Sequence, residues 1–433
     1  HLVGLAVVCF AFHGMLIERR PHPAHLTQFY ICMSLGGALG GLFNALAAPV
    51  IFTGTLEYPI MLVVACLMLF LRNGLKSRIL TDGWEVLTIL VLAVALTLVV
   101  MSLSLVASEN IPLAFAIIAM ALSIAAMFLT KQEERRKTLL FATVLLPLIG
   151  FPAVTYLQVR PPVELLYEKR NFFGTVRVFN NKALNANTLH YNTTLHGMQS
   201  RDKNAPIGLS AYYRNSLEEA TSTLIGPDKP IGIVGLGAGT LQCLAHPNQH
   251  VDFYDINPAV LEIAETPAYF TYLRDCPGTY TNILGDGRLM MAQAPDRKYG
   301  TIIIDAFSSD AIPVHLITRE ALDIYRSKLA KGGVMIFHIT NRYINLPPLL
   351  AAQAEAMGWK PYVKHFAEKQ GPNTFETIWF VMAPTAEAVA PLLKAHSGWI
   401  EATPLPGSRP WTDNYTNMLP YFKLKDKKGI TQH

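Results

Sequence analysis

The residues with chemistry in them are a glycine loop and three carboxylates, set in order along one stretch of this chain. The loop reads Gly235-Leu236-Gly237-Ala238-Gly239-Thr240 and follows the apolar run IGIV. Glycines between a buried strand and a helix start permit a tight turn and a close backbone approach. The N–H groups opening the helix then favour an anionic or polar ligand. Asp255 ends the next run, HVDFYD, at the distance where a carboxylate accepts both hydroxyls of a ribose. Asp286 follows the third run in LGDGR, with Gly287 behind it, a position suited to an adenine amino group. Asp305 ends the fourth run, in IIIDAFSSD. Thr240 stands where G-x-G-x-x-G would place its last glycine, so the G-x-G-x-G spacing suits an S-adenosylmethionine-type nucleoside better than a dinucleotide. The competing role for such acids is helix capping, which Asp performs readily. Four elements in one order favour the nucleoside site.

These residues need a scaffold, and the sequence supplies an alternation. IGIVGL, HVDFYDI, YTNILGD, YGTIIIDAF and GGVMIFHIT read as strands, while GTLQCLA, PAVLEIAE and REALDIYRSKL read as helices. Strands alternating with helices of this length predict a parallel, doubly wound sheet with ligand sites at the strands' carboxyl ends. Ahead of it, residues 163–225 hold short alternating segments such as GTVRVFNN and NTLHYNTT, which predict a small antiparallel sheet or hairpins.

The first third has another character. The 433 residues are 51% hydrophobic and 15% charged, against about 25% charged in soluble chains. Apolar stretches at 2–17, 27–52, 57–72, 84–107, 111–130 and 138–158 predict about six spans, the first cut short by the start of the sequence. Gly36, Gly37, Gly40 and Gly41 in the second suit close helix packing. No ionisable residue lies deep in a later span, so an anchor is favoured over a transport path. The basic loops IERRPHP, RNGLKSR and TKQEERRK belong on the cytoplasmic side. A full sixth crossing then puts everything after Arg160 outside. If the Pro-containing LLPLIGFPAVTY does not cross, the rest stays inside.

The expected organisation is a multi-pass segment at 1–160, possibly N-terminally truncated, a β-rich subdomain at 161–228, and the nucleoside-binding domain at 229–433. A net charge of +5 spread over short loops does not suggest nucleic acid. The five cysteines (Cys9, Cys32, Cys66, Cys243, Cys276) have neither paired nor metal spacing, so free thiols and no metal are expected.

Residues 165–345 resemble the spermidine synthase family, the polyamine aminopropyltransferases. More narrowly, HLTQFYICMSLGGALGGLFNAL with DAFSSDAIPVHLITREAL resembles bacterial membrane proteins that carry such a domain. The resemblance implies a class I S-adenosylmethionine-methyltransferase-like (Rossmann-like) fold in a cell-membrane protein. It also implies S-adenosylmethionine or its decarboxylated form as co-substrate, an amine acceptor, and a homodimer, since such relatives are commonly dimeric. TLHGMQ is similar to a family segment in which Gln199 would contact nucleoside or substrate. Asp305 falls where the family keeps its catalytic acid, and Asp310 would be a second anionic contact, with a loop or cap role as its alternative. Ser308 and Ser309 read as bonding the loop backbone, with no base placed to activate a serine, and His315 reads as an ordinary loop or helix-start residue.

Two departures bear on the substrate. Ala238 replaces the family's Asp in the glycine loop, which removes a repulsion against a donor that keeps its carboxylate. LSAYYRNS, with Tyr212 and Tyr213 as candidate substrate contacts, carries Arg214 where the family is acidic. A methyltransferase or aminocarboxypropyltransferase is therefore the alternative enzyme, and a transporter or sensor with a non-catalytic nucleoside domain the alternative of another class. Trp411, Asp413 and Tyr415 in PWTDNYTN read as a structural edge turn, or else as a rim of the site.

Overall fold

A computed structural model of the chain describes residues 2–52, scattered positions from 57 to 68, and 163–423 less 193, 203, 210–212, 214–215, 307–312, 342 and 367–376. The chain divides into two units, His1–Pro161 and Pro162–His433. In the first, the helix Leu2–Glu18 precedes a helical stretch Pro23–Ile51 that passes through a π turn at Phe43–Ala47. Pro23–Ile51 is long and apolar enough to cross a membrane, and only 6% of its apolar window is buried against protein. It is the one such helix among the described residues. The expected spans at 84–107, 111–130 and 138–158 lie outside the described residues, as does most of 57–72.

The second unit begins with a four-stranded antiparallel sheet, β1 (Val163–Asn171), β2 (Gly174–Asn181), β3 (Ala186–Tyr191) and β4 (Thr194–Ser200), paired in chain order. Its inward positions include Val176, Val178 and Leu189, each at most 1% exposed. The larger sheet has eight strands: β5 (Ile231–Val234), β6 (His250–Asp255), β7 (Thr279–Leu284), β8 (Tyr299–Ile304), β9 (Leu329–His338), β10 (Lys360–Phe366), β11 (Thr377–Ala383) and β12 (Ile400–Glu401). Their spatial order is β12-β10-β11-β9-β8-β5-β6-β7. Side-chain alternation splits its residues between two cores. Ile233, Ile303 and Ile336 enter one, while Val234, Ile302, Ile304 and Phe337 enter the other. Both faces are thus covered, which is why the central strands read as unbroken apolar runs.

The sheet is parallel across β7-β6-β5-β8-β9 and antiparallel from β9 outward through β11, β10 and β12. The five strands expected from the sequence, β5 to β9, are the parallel ones, and the antiparallel strands β10 to β12 lie beyond them. Two expectations change. The GTLQCLA segment is a five-residue 3-10 turn, Thr240–Leu244, rather than a helix. Cys243 and Cys276 form a disulfide rather than standing as free thiols, because that turn and the end of the helix Tyr272–Asp275 bring their Cα atoms to 4.8 Å. They are 33 residues apart in sequence, so spacing gave no sign of the pair.

Candidate active site

Chain order reverses between β5 and β8: from β5 the chain moves first to β6 on one side and later to β8 on the other. The carboxyl ends of strands flanking such a reversal leave a crevice. A cavity of about 330 Å³ sits there, under a wall of Val176, Leu189 and Tyr191 from the antiparallel sheet.

Gly235 leaves β5 with φ +105° and donates its N–H to the Tyr254 carbonyl at 2.8 Å. A side chain at this position would run into the Asp305 main chain, its Cβ 2.8 Å from the carbonyl carbon. Only glycine lets the loop and Asp305 lie so close. Gly235 and Gly237 line the cavity, while Gly239 stands just behind as the N-cap of the 3-10 turn. Ala238 is buried, with its methyl against Gly197 of β4, where an added Cβ would lie 2.5 Å away.

The three sequence-identified carboxylates reach this one cavity, each in a different setting. Asp255 accepts the Leu236 N–H at 3.0 Å on Oδ2 and the Asn257 N–H at 2.9 Å on Oδ1. Burial raises its pKa, with those backbone donors opposing the shift. Asp286 caps the helix Gly287–Gln293 through the Leu289 N–H at 2.9 Å and meets His315 Nε2 at 2.9 Å. Capping and cavity lining therefore coincide in one residue. Gly287 packs on Val234 so closely that a Cβ would overlap its Cγ1. His315, expected to be an ordinary loop or helix-start residue, sits in the 3-10 turn Val314–Leu316 and lines the cavity.

Asp305 is 5% exposed in its side chain. Tyr213 donates its hydroxyl to Oδ2 at 2.5 Å, and His338 Nδ1 lies 2.8 Å from Oδ1. His338 ends β9, the parallel neighbour of β8, and it stacks on Trp379 of β11 with ring centroids 4.6 Å apart. The antiparallel register sets Trp379 directly opposite His338. Nothing in the sequence reading singled out His338. The available signal was its place at the end of the strand after Asp305, two residues before Thr340.

Other expected contacts fall elsewhere. Gln199 lies outside the cavity lining, and its amide is bonded at both ends to Thr271, to the N–H at 2.8 Å and to Oγ1 at 2.7 Å. Tyr212, Arg214, Ser308, Ser309 and Asp310 lie outside the described residues. Asp413 makes a two-pronged pair with Arg288, both contacts at 2.7 Å, and accepts the Thr318 hydroxyl at 2.9 Å. Arg288 holds the Asp413 carboxyl down at about 2. Trp411 is buried, and its carbonyl receives Arg319 N–H and Gln353 Nε2. The segment anchors the helix Arg319–Lys328, the structural one of its two expected roles.

No protein-family model matches the chain. It is 37% identical over 110 residues to a polyamine aminopropyltransferase of Vibrio vulnificus (strain CMCP6), covering 24% of this chain and 35% of that protein. It is 27% identical over 182 residues to a probable polyamine aminopropyl transferase of Bifidobacterium longum (strain NCC 2705), covering 41% and 37%. The chain thus spans about a third of the length of these curated relatives. Among solved structures, a probable spermidine synthase from Corynebacterium glutamicum aligns at 13% identity and TM-score 0.43, over 58% of this chain and 96% of that one.

Proposed function

We propose that this chain, a member of the spermidine synthase family, is a membrane-anchored transferase that moves an aminopropyl-type group from a sulfonium donor to an amine. One observation carries the reading: Asp305, buried and doubly bonded, lies against the glycine loop in a cavity that also receives Asp255 and Asp286. The donor is decarboxylated S-adenosylmethionine or S-adenosylmethionine itself.

Gly235 and Gly237 present backbone to the nucleoside, with Gly239 fixing the turn behind them. Asp255 takes the ribose hydroxyls with the lone pairs left by Leu236 and Asn257. Asp286 faces the adenine amino group. The acceptor nitrogen attacks the propyl carbon, a C–N bond forms, and the C–S bond breaks with its electron pair going to sulfur, which leaves as a neutral thioether. The product nitrogen then carries an extra proton, and Asp305 accepts it. Since the sulfonium is already activated, the protein mainly aligns the reactants and places charge. Tyr213 holds Asp305 on one side.

The apolar helix Pro23–Ile51 and the apolar stretches that follow it in sequence support a multi-pass anchor. A second reading, transfer of a methyl or aminocarboxypropyl group from intact S-adenosylmethionine, is favoured by Ala238. A small buried methyl there puts no charge against a donor carboxylate. Calorimetric titration of the detergent-solubilised protein with S-adenosylmethionine, its decarboxylated form and methylthioadenosine separates the readings. Preference for the decarboxylated donor supports aminopropyl transfer, and preference for the intact donor supports the second reading. Failure of all three to bind removes the nucleoside site. A sensor or transporter without turnover would keep full cellular function as Asp305→Asn.

A further inference from the structure

We propose that His338 is a positioning residue for Asp305, donating its Nδ1–H so that the carboxylate is held aimed into the cavity, with Thr340 and Thr377 setting the imidazole tautomer. The inference rests on Asp305 being the proton acceptor.

The hydrogen-bond lengths around the ring favour one direction. Thr340 Oγ1 accepts the Ile378 N–H at 2.9 Å and has two places for its own proton, His338 Nε2 at 2.8 Å and Thr377 Oγ1 at 3.3 Å, of which the first is the shorter. His338 Nε2 lies 2.8 Å from that oxygen and 3.2 Å from Thr377 Oγ1. A hydroxyl donating to Nε2 makes that nitrogen the acceptor and leaves the ring proton on Nδ1. Nδ1 is the nitrogen 2.8 Å from Asp305 Oδ1. An ionised carboxylate only accepts, so a donor here and the Tyr213 hydroxyl on Oδ2 suit the charged form. Each oxygen keeps a lone pair for the cavity.

The ring itself is held. His338 is 6% exposed and lies nearly flat on Trp379, at an interplanar angle of 14°. The groups facing it from packed elements are Asp305 beyond β8, Thr377 and Trp379 from β11, Thr340 after β9, and the Tyr213 ring at 6.5 Å. Of these, Asp305 carries the charge. A side chain bonded at both nitrogens and stacked on an indole has one orientation, which it passes on to the carboxylate, as outer partners of ligating residues do elsewhere.

The test uses the full chain in detergent, with ¹⁵N-labelled histidine and His338→Gln to assign the signal. The expected spectrum has a protonated Nδ1 and an unprotonated Nε2, with Thr340→Val giving a tautomer mixture. A proton on Nε2 with bare Nδ1 toward Asp305 overturns the proposal. In parallel, methylthioadenosine release is followed with decarboxylated S-adenosylmethionine and putrescine as probe acceptor. His338→Ala should lower kcat about 10- to 100-fold at unchanged donor KM, and His338→Gln, which keeps an N–H donor, should recover part of it. Equal losses in the two variants, or a loss confined to KM, also overturn it. Full turnover by Asp305→Asn would instead remove the assignment of Asp305, while the tautomer still decides whether His338 donates to it. If putrescine is not turned over, the tautomer decides alone.

Discussion

Replacing Gly235 by alanine drives a methyl into the main chain that carries Asp305, because the new Cβ would lie 2.8 Å from the Asp305 carbonyl carbon and 3.2 Å from the Ala306 nitrogen. Two costs add. A backbone at φ +105° costs a residue with a side chain about 1–3 kcal/mol. Ordinary carbon contacts sit at about 3.5 Å or more, so the strands must also part by about 0.7 Å. The same movement pushes Asp305 toward β9 and disturbs the geometry of its 2.8 Å bond to His338, and a bond to a charged group is worth about 1.5–3 kcal/mol. The expected loss is about 2.5–6 kcal/mol. Gly332→Ala is the control, since Gly332 has φ +77° but open space around it and meets only the backbone cost. Thermal midpoints of the detergent-solubilised variants, with donor titrations on the same samples, make the comparison. At about 2–4 °C per kcal/mol the difference is measurable. If Gly235→Ala melts with Gly332→Ala and binds donor at wild-type affinity, the close contact with Asp305 does not position the carboxylate.

The Arg288–Asp413 pair has a pH signature. Asp413 is held at about 2 when folded, against about 3.9 in an unfolded chain. Its contribution is therefore complete above about pH 4 and lost as pH falls toward 2, and Asp413→Asn should lower the melting point at neutral pH while flattening that acid limb. The effect is modest, because the carboxylate is 40% exposed. Reduction of Cys243–Cys276, or Cys243→Ser, should cost about 3–4 kcal/mol by the chain-entropy relation for a 33-residue separation. An unchanged midpoint under reductant would show that the bond does not restrain the unfolded chain. Asp255→Asn keeps the shape but presents an amide where two backbone N–H groups already point, so nucleoside affinity should fall about tenfold or more by calorimetry. Wild-type affinity would remove Asp255 from the ribose site.

What the sequence disclosed was whatever local pattern determines. IGIV, FYD and TIIID read as buried strands because both faces of a covered sheet demand apolar residues, and the folded chain places them in the two cores. The order glycine loop, Asp255, Asp286, Asp305 was legible because a strand-helix alternation brings successive carboxyl ends to one edge. Contacts made by register between distant strands were hidden. His338 reaches Asp305 only because β9 lies beside β8, and its ring is fixed only because β11 runs back antiparallel with Trp379 opposite. His315 was passed over for a related reason, since its bond to Asp286 joins segments 29 residues apart in sequence. Gln199 looked like a ligand contact in a motif, yet its amide is fully engaged with Thr271, 72 residues away.

The stack of His338 on Trp379 also makes the site legible to light. A positive charge brought near an indole acts on its π face and changes its emission. Trp379 is wholly buried, so bulk solvent leaves its emission alone. A sulfonium entering beside Asp305 brings a positive charge within reach of the same hydrogen-bonded chain. Donor arrival should therefore register as a change in tryptophan fluorescence, which Trp379→Phe would abolish, giving the chain an unlabelled optical gauge of its own occupancy.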